Sequence, residues 1–334
     1  MTTDERVQAF ARRRFGPTAR VEPLAGDAST RRFFRLFPPG LSPLILMVHP
    51  EPFELERLPF FQQGRFLAGI GAAVPRLIAS YPKDGILAVE DLGDETLQLH
   101  LEHCGDDRRR FLYLQAVQMI GLLQGEGTRC LTHDLPAAST VLDARQLREE
   151  LSFFTRHYVH HLCGSPLTSS QMDTLEAWFE ELADQVGGYP RVLCHRDFHS
   201  RNLMVKQDRL YMVDFQDARL GPYTYDLASL IQDSYVRLPA DLIDEIVAFH
   251  KDICRISEPA QAFRRALDRT CLQRNIKALG TFAAQAELRG NRSYLRYIAP
   301  TLGSVRARLE QRSAGEADRE VLALFSGALD GASR

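Results

Sequence analysis

Two short segments constrain this chain more than any other part of it. His195-Arg196-Asp197-Phe198-His199-Ser200-Arg201-Asn202-Leu203 reads H-x-D-x-x-x-x-N, and Val213-Asp214-Phe215 places a second acid at the end of an apolar run. Phosphoryl transfer from a nucleoside triphosphate in the kinase manner needs three such groups. One Asp accepts the acceptor hydroxyl's proton, an Asn at this spacing holds a metal ion, and an Asp on the next strand holds the metal that bridges the phosphates. Here they are Asp197, Asn202 and Asp214. Asp and Asn are also ordinary turn residues, so a plain polar hairpin is the competing reading. The order of the elements, with a strand between them, argues against it. Val192-Leu193 leads into the loop, Leu203-Met204-Val205 leaves it, Lys206 to Arg209 turns, and Leu210 to Val213 returns. Such a hairpin puts Asn202 and Asp214 at the same end of two strands. There a divalent cation takes oxygen from both and leaves its other positions to phosphate and water.

The pattern upstream is strand-rich. A helix over 4–15, with Val7, Phe10 and Ala11 on one face, ends at Gly16-Pro17. Strands are expected over 20–24, 33–37, 44–48, 74–78 and 86–90, with a helix over 59–69. Beyond about residue 100 the periodicity becomes helical, over 108–124, 144–162, 169–186, 225–235, 240–253, 260–288, 292–308 and 316–329. The expected fold class is α+β, bilobed like a protein kinase. A small β-rich N-lobe (1–92) binds nucleotide, and a larger, mainly helical C-lobe (93–334) holds the catalytic loop and the acceptor. Nucleotides commonly bind in clefts between such lobes.

Composition excludes several alternatives. The chain has 334 residues, 45% hydrophobic and 25% charged, with a net charge of −2. That balance offers no basic field for nucleic acid or an anionic membrane. No apolar run approaches a membrane span, and the charged N-terminus does not read as a signal peptide. Six scattered Cys without a C-x-x-C pair read as free thiols, so a cytoplasmic protein is expected; the chain is expected to be a monomer.

The nucleotide end is less explicit. Leu24-Ala25-Gly26-Asp27-Ala28-Ser29-Thr30-Arg31-Arg32 lies between the first two strands. Small residues such as Gly26 let backbone N–H groups approach phosphate, and Ser29 adds a hydroxyl. Kinases place a Lys on the third strand to hold the α/β-phosphates, paired with a helix Glu. Here Leu44-Ile45-Leu46-Met47-Val48-His49 has no Lys, and none occurs before Lys83. Either the chain binds nucleotide without transferring phosphate, or Arg32 on the neighbouring strand supplies the charge, with Arg31 as its rival. The intact Asp197, Asn202 and Asp214 favour the second. Glu90 and Leu92 sit in the link between the lobes, where backbone groups meet an adenine edge.

With both ends in view, the chain resembles the aminoglycoside phosphotransferase/choline kinase family through Phe198-His199-Ser200-Arg201-Asn202-Leu203 and Val213-Asp214-Phe215-Gln216-Asp217-Ala218. Three more segments narrow the resemblance: Gly26-Asp27-Ala28-Ser29 with Arg31 to Arg35, Glu90-Asp91-Leu92-Gly93-Asp94, and Gly221-Pro222 with Tyr225-Asp226-Leu227. With these it is similar to bacterial anomeric kinases of cell-wall sugar recycling. The resemblance implies ATP and Mg²⁺ as cofactors and an amino sugar as acceptor. In that case the C1 hydroxyl of N-acetylmuramate or N-acetylglucosamine is phosphorylated. It also implies that Asp226 braces the catalytic loop. Thr30, His157 and Met47-Val48-His49-Pro50 depart from the pattern, which leaves the sugar open. An aminoglycoside, choline or a related alcohol is the alternative acceptor. The cluster His157, His160, His161 and Cys163 lacks the acids or thiolates of a convincing metal set.

Overall fold

The computed structural model describes residues 2–24, 31–165, 167–312 and 315–330. Its contacts separate two compact units: Met1–His100 with Asn202–Asp217, and Leu101–Arg201 with Ala218–Arg334. Residues 202–217, which the sequence reading keeps with the C-terminal part, belong to the first unit.

The first unit begins with helix α1 (Thr3–Phe15). A capping box between Thr2 and Glu5 opens this helix, and Gly16 closes it at φ 98°, a conformation that costs glycine little. Strands β1 (Arg20–Leu24), β2 (Arg32–Phe37) and β3 (Leu44–Val48) follow, then α2 (Pro59–Gly69), β4 (Leu77–Tyr81) and β5 (Ile86–Glu90). They form an antiparallel sheet in the order β1-β2-β3-β5-β4. Alternation along the strands assigns the faces. Phe34, Leu36, Leu46, Val48, Ile86 and Ala88 pack on Val7, Phe10 and Ala11 of α1 and form this unit's core. Val74-Pro75 stays outside the sheet, so β4 starts later than its apolar run suggests. Proline has no N–H to give a ladder.

The chain continues through α3 (Leu97–Leu101), α4 (Asp106–Leu122), α5 (Thr128–Cys130), α6 (Pro136–Ser139), α7 (Ala144–Phe154) and α8 (Ser169–Gly187). Strands β6 (Arg191–Cys194), β7 (Leu203–Lys206), β8 (Arg209–Met212) and β9 (Arg219–Pro222) come next. Helices α9 (Tyr225–Ile231), α10 (Ala240–Ile253), α11 (Ala260–Arg289), α12 (Ile298–Arg312) and α13 (Glu316–Ser326) complete it. Side chains from α7, α8, α11, α12 and α13 build the large core of the second unit. The run expected as one helix over 144–162 widens after Phe154 into a π-helix, Thr155–Leu162. The widening begins where α11 packs closely: a Cβ on Gly280 would lie 2.7 Å from the Phe154 Cα. No helix among the described residues is long and apolar enough to cross a membrane.

Candidate active site

In the first unit, the β7–β8 hairpin places the two metal-ligand candidates side by side. The Val213 N–H donates to the Asn202 carbonyl at 2.9 Å, so Asn202 and Asp214 flank one end of the hairpin. The hairpin is tied to its unit by Val205 N–H to Glu95 O (2.8 Å) and Met212 N–H to Ala73 O (2.9 Å). Asp214 has φ 63°, a strained value for a non-glycine residue that is common at functional sites. Phe215 locks the turn beyond it. Its ring stacks on Phe60 of α2 at 5.0 Å and lies where a Cβ on Gly64 would come within 3.2 Å. Gln216 Nε2 donates to Asp214 Oδ1 at 2.6 Å. An amide oxygen and a carboxylate are hard oxygen donors of the kind Mg²⁺ prefers, so these residues fit the ion.

In the second unit, the catalytic loop is gripped from behind. Arg196 has φ 80°. The fully buried Asp226 at the start of α9 accepts the N–H groups of His195 (2.7 Å) and Arg196 (3.0 Å). Burial pushes the Asp226 carboxyl up, against the pull of His195 and these N–H donors. Arg274 of α11 donates to the Arg196 carbonyl at 2.6 Å, and Asp233 accepts the Ser200 N–H at 2.8 Å. Together these contacts hold a strained loop in one conformation.

Asp197 sits among cations. Its Oδ1 lies 3.2 Å from Lys277 Nζ and 3.3 Å from Arg274 Nη1, both on α11. Lys277 also lies 3.4 Å from Glu150 of α7, and Glu150 pairs with Arg196 at 3.0 Å. Burial alone would raise the Asp197 carboxyl, but Lys277, Arg274 and Arg196 hold it well below the usual carboxylate range. Lys277 responds in kind. Burial would lower it, and the charges of Asp197 and Glu150 raise it instead. The sequence reading missed Lys277, Arg274, Glu150 and Asp233, because the fold brings them to the loop from segments distant in sequence. One signal was visible: Lys277 is one of only four lysines in the chain.

At the nucleotide end, Gly26 and Ser29 lie outside the described residues. Arg32 shares the α1 face of the sheet with Phe34 and pairs with Asp4 at 3.1 Å. Arg31 lies on the other face, 3.7 Å from the Met47 sulfur, and its charge helps burial to lower the His49 imidazole. Met47 of β3 lies on this face, two residues before His49. Helix α2, where kinases of this type carry the paired Glu, has no acidic residue. The Glu90 carboxylate is taken by Lys206 (2.9 Å) and Arg76 (3.0 Å), and its N–H donates to Arg76 O. Lys206 also donates to Asp91 O, and Arg35 clasps Asp91 and Asp94, so the link after β5 is held by charge. Leu92 is buried within it. His157 and His161 both turn to Glu287, at 2.7 and 3.2 Å.

Comparison with known proteins identifies the family. Residues 20–268 match the family described as "Phosphotransferase enzyme family". The chain belongs to that family. It is 32% identical over 291 residues to an N-acetylmuramate/N-acetylglucosamine kinase of Pseudomonas aeruginosa, a match covering 84% of this chain and 80% of the relative. A protein of the same name from Pseudomonas putida is 31% identical over 284 residues, with the same coverage. Among solved structures, amicoumacin kinase in complex with AMP-PNP, Ca²⁺ and amicoumacin superposes with TM-score 0.64 at 17% identity, over 90% of this chain and 92% of that one. A gentamicin complex of an aminoglycoside 2''-phosphotransferase gives TM-score 0.61 at 13% identity, over 95% and 98%. These likenesses show the kinase-like fold, and the family makes this phosphotransferase an enzyme.

Proposed function

We propose that this phosphotransferase moves the γ-phosphate of ATP to the anomeric C1 hydroxyl of N-acetylmuramate or N-acetylglucosamine. The observation that carries the reading is the Asp197 carboxylate fixed at the catalytic loop and kept ionised by its neighbours. The names of the relatives support the sugar. In this reading Asp197 orients the acceptor hydroxyl and takes its proton. The acceptor oxygen forms a bond to the γ-phosphorus as the bond to the β,γ-bridging oxygen breaks, and ADP leaves with that electron pair. Asn202 and Asp214 would hold Mg²⁺, which supplies charge neutralisation of the phosphates when bound. The Glu90 carbonyl and Leu92 N–H meet the adenine edge. Arg31, on the Met47 face, is better placed than Arg32 to stand in for the missing third-strand lysine.

A hemiacetal hydroxyl is more acidic than an ordinary alcohol, so a weak carboxylate base suffices without the Lys–Glu pair of other kinases. The test is an acceptor assay with Mg-ATP and phosphorus NMR of the product. We expect a glycosyl 1-phosphate from the free sugars and no product from their 1-O-methyl glycosides, whose C1 oxygen is blocked. A 6-phosphate, or equal turnover of the methyl glycosides, would sink the anomeric assignment and leave the phosphotransferase standing.

A further inference from the structure

We propose that Lys277 is a positioning residue for the catalytic base: its ammonium, set between Glu150 and Asp197, fixes the Asp197 carboxylate in the orientation that receives the acceptor proton. The inference rests on the reading of Asp197 as the base.

The geometry is specific. Lys277 and Arg274 stand one helical turn apart on α11 and address the same oxygen of Asp197, at 3.2 and 3.3 Å. Lys277 is 84% buried, as its side-chain exposure of 16% shows, so a solvated surface charge does not describe it. Its other partner, Glu150, is held in turn by Arg196 (3.0 Å), Gln273 Nε2 (2.9 Å) and the Tyr225 hydroxyl (3.3 Å). Lys277 is therefore anchored on one side by a braced carboxylate and offers its charge to Asp197 on the other. Arg274 has different work. It also bonds the Arg196 carbonyl at 2.6 Å and the Tyr225 hydroxyl at 3.2 Å, which shapes the loop backbone. That leaves Lys277 as the cation whose ammonium bonds carboxylates alone.

The chemical consequence concerns the acceptor. A carboxylate shared by two cations is a weak base, and Arg196 and His199 add to the same field. A weak, rigidly aimed base suits a hydroxyl that is already acidic, as a hemiacetal hydroxyl is. Orientation then contributes more to the rate than basicity does, and misplacement of a reacting group by about 1 Å can cost on the order of 10²-fold.

The experiment is a double-mutant cycle on the full chain with Mg-ATP and N-acetylglucosamine. Lys277→Met should lower kcat by about 10²-fold, leave KM and nucleotide affinity within about twofold, and be partly rescued by Lys277→Arg. In an Asp197→Asn background the same substitution should have almost no further effect, because the group it positions is gone. Equal losses in both backgrounds, or near wild-type kcat in Lys277→Met, overturn the proposal. Thermal unfolding of each variant identifies any loss that comes from folding. Should the Met variant not fold, Lys277→Gln, which keeps N–H donors without the charge, enters the same cycle and is read in the same way. Absence of turnover on either sugar by the wild-type chain would count against the acceptor, whereas an additive cycle with sugar turnover intact counts against Lys277 alone.

Discussion

At the scale of single residues, most of the proposed chemistry rests on Asp197 and Asp214, and their separate roles give separable outcomes. Asp197→Asn should lower turnover by roughly 10²- to 10⁴-fold while nucleotide titration stays nearly unchanged, since the proposed phosphate and metal contacts lie elsewhere in the chain. Undiminished turnover would remove Asp197 from the mechanism. Asp214→Ala should lose both turnover and the Mg²⁺ dependence of nucleotide affinity. Arg31 and Arg32 divide by face. Arg32 pairs with Asp4, and Arg31 lies with Met47 and His49. Arg31→Ala should therefore weaken ATP more than AMP, while Arg32→Ala leaves both nearly as they were; titration of each variant with each nucleotide decides. The reverse result would return the phosphate charge to Arg32, the residue that sequence reasoning prefers.

At the scale of elements, helix contacts give predictions about stability. Gly280 is a contact point between α11 and α7, and a methyl there would meet the Phe154 backbone at 2.7 and 2.9 Å. Backbone cannot step aside like a flexible side chain, so Gly280→Ala should cost about 1–3 kcal/mol, read by denaturant unfolding. Wild-type stability in that variant would mean the two helices can part cheaply. On α10, His250 is fully buried, neither ring nitrogen has a hydrogen-bond partner, and burial lowers its imidazole from 6.5 to about 4. The sign follows from linkage. The unfolded chain binds a proton near pH 6.5 that the folded chain refuses until about 4, so stability is full above 6.5 and declines as the pH falls toward 4. Up to about 3 kcal/mol belongs to this one group. His250→Leu should flatten that part of the acid limb in a Tm–pH series, and an unchanged limb would clear His250 of the effect.

At the scale of the whole molecule, binding and folding are linked: Mg-ATP at about 100 times its Kd should add about 2.7 kcal/mol of stability. A rise in Tm with Mg-ATP that disappears in Asp214→Ala would tie nucleotide binding to the hairpin acid; a rise that persists there would detach it. Much of the architecture is readable along the chain because it is written in local periodicity. Helices at 59–69 and 240–253 and the strand at 86–90 have the bounds their patterns predict. The proposed catalytic constellation is legible for a related reason, since Asp197, Asn202 and Asp214 lie within one loop–strand–strand segment whose spacing that chemistry uses. Strand β9 is hidden because Gly221-Pro222 spells a turn, yet the ladder with β6 and the close approach of Leu142 and Cys194 to Gly221 make it a strand. The π-helix at Thr155–Leu162 keeps helical periodicity in its sequence and departs from it only beside α11. Sequence determined the loop, its acids and the kind of fold that presents them, because those depend on residues close in the chain. Only the tertiary structure decided that Lys277, Arg274 and Glu150 surround Asp197, and which of Arg31 and Arg32 turns to the α1 face. Charge acts through space, and which charges meet depends on how helices distant in sequence pack.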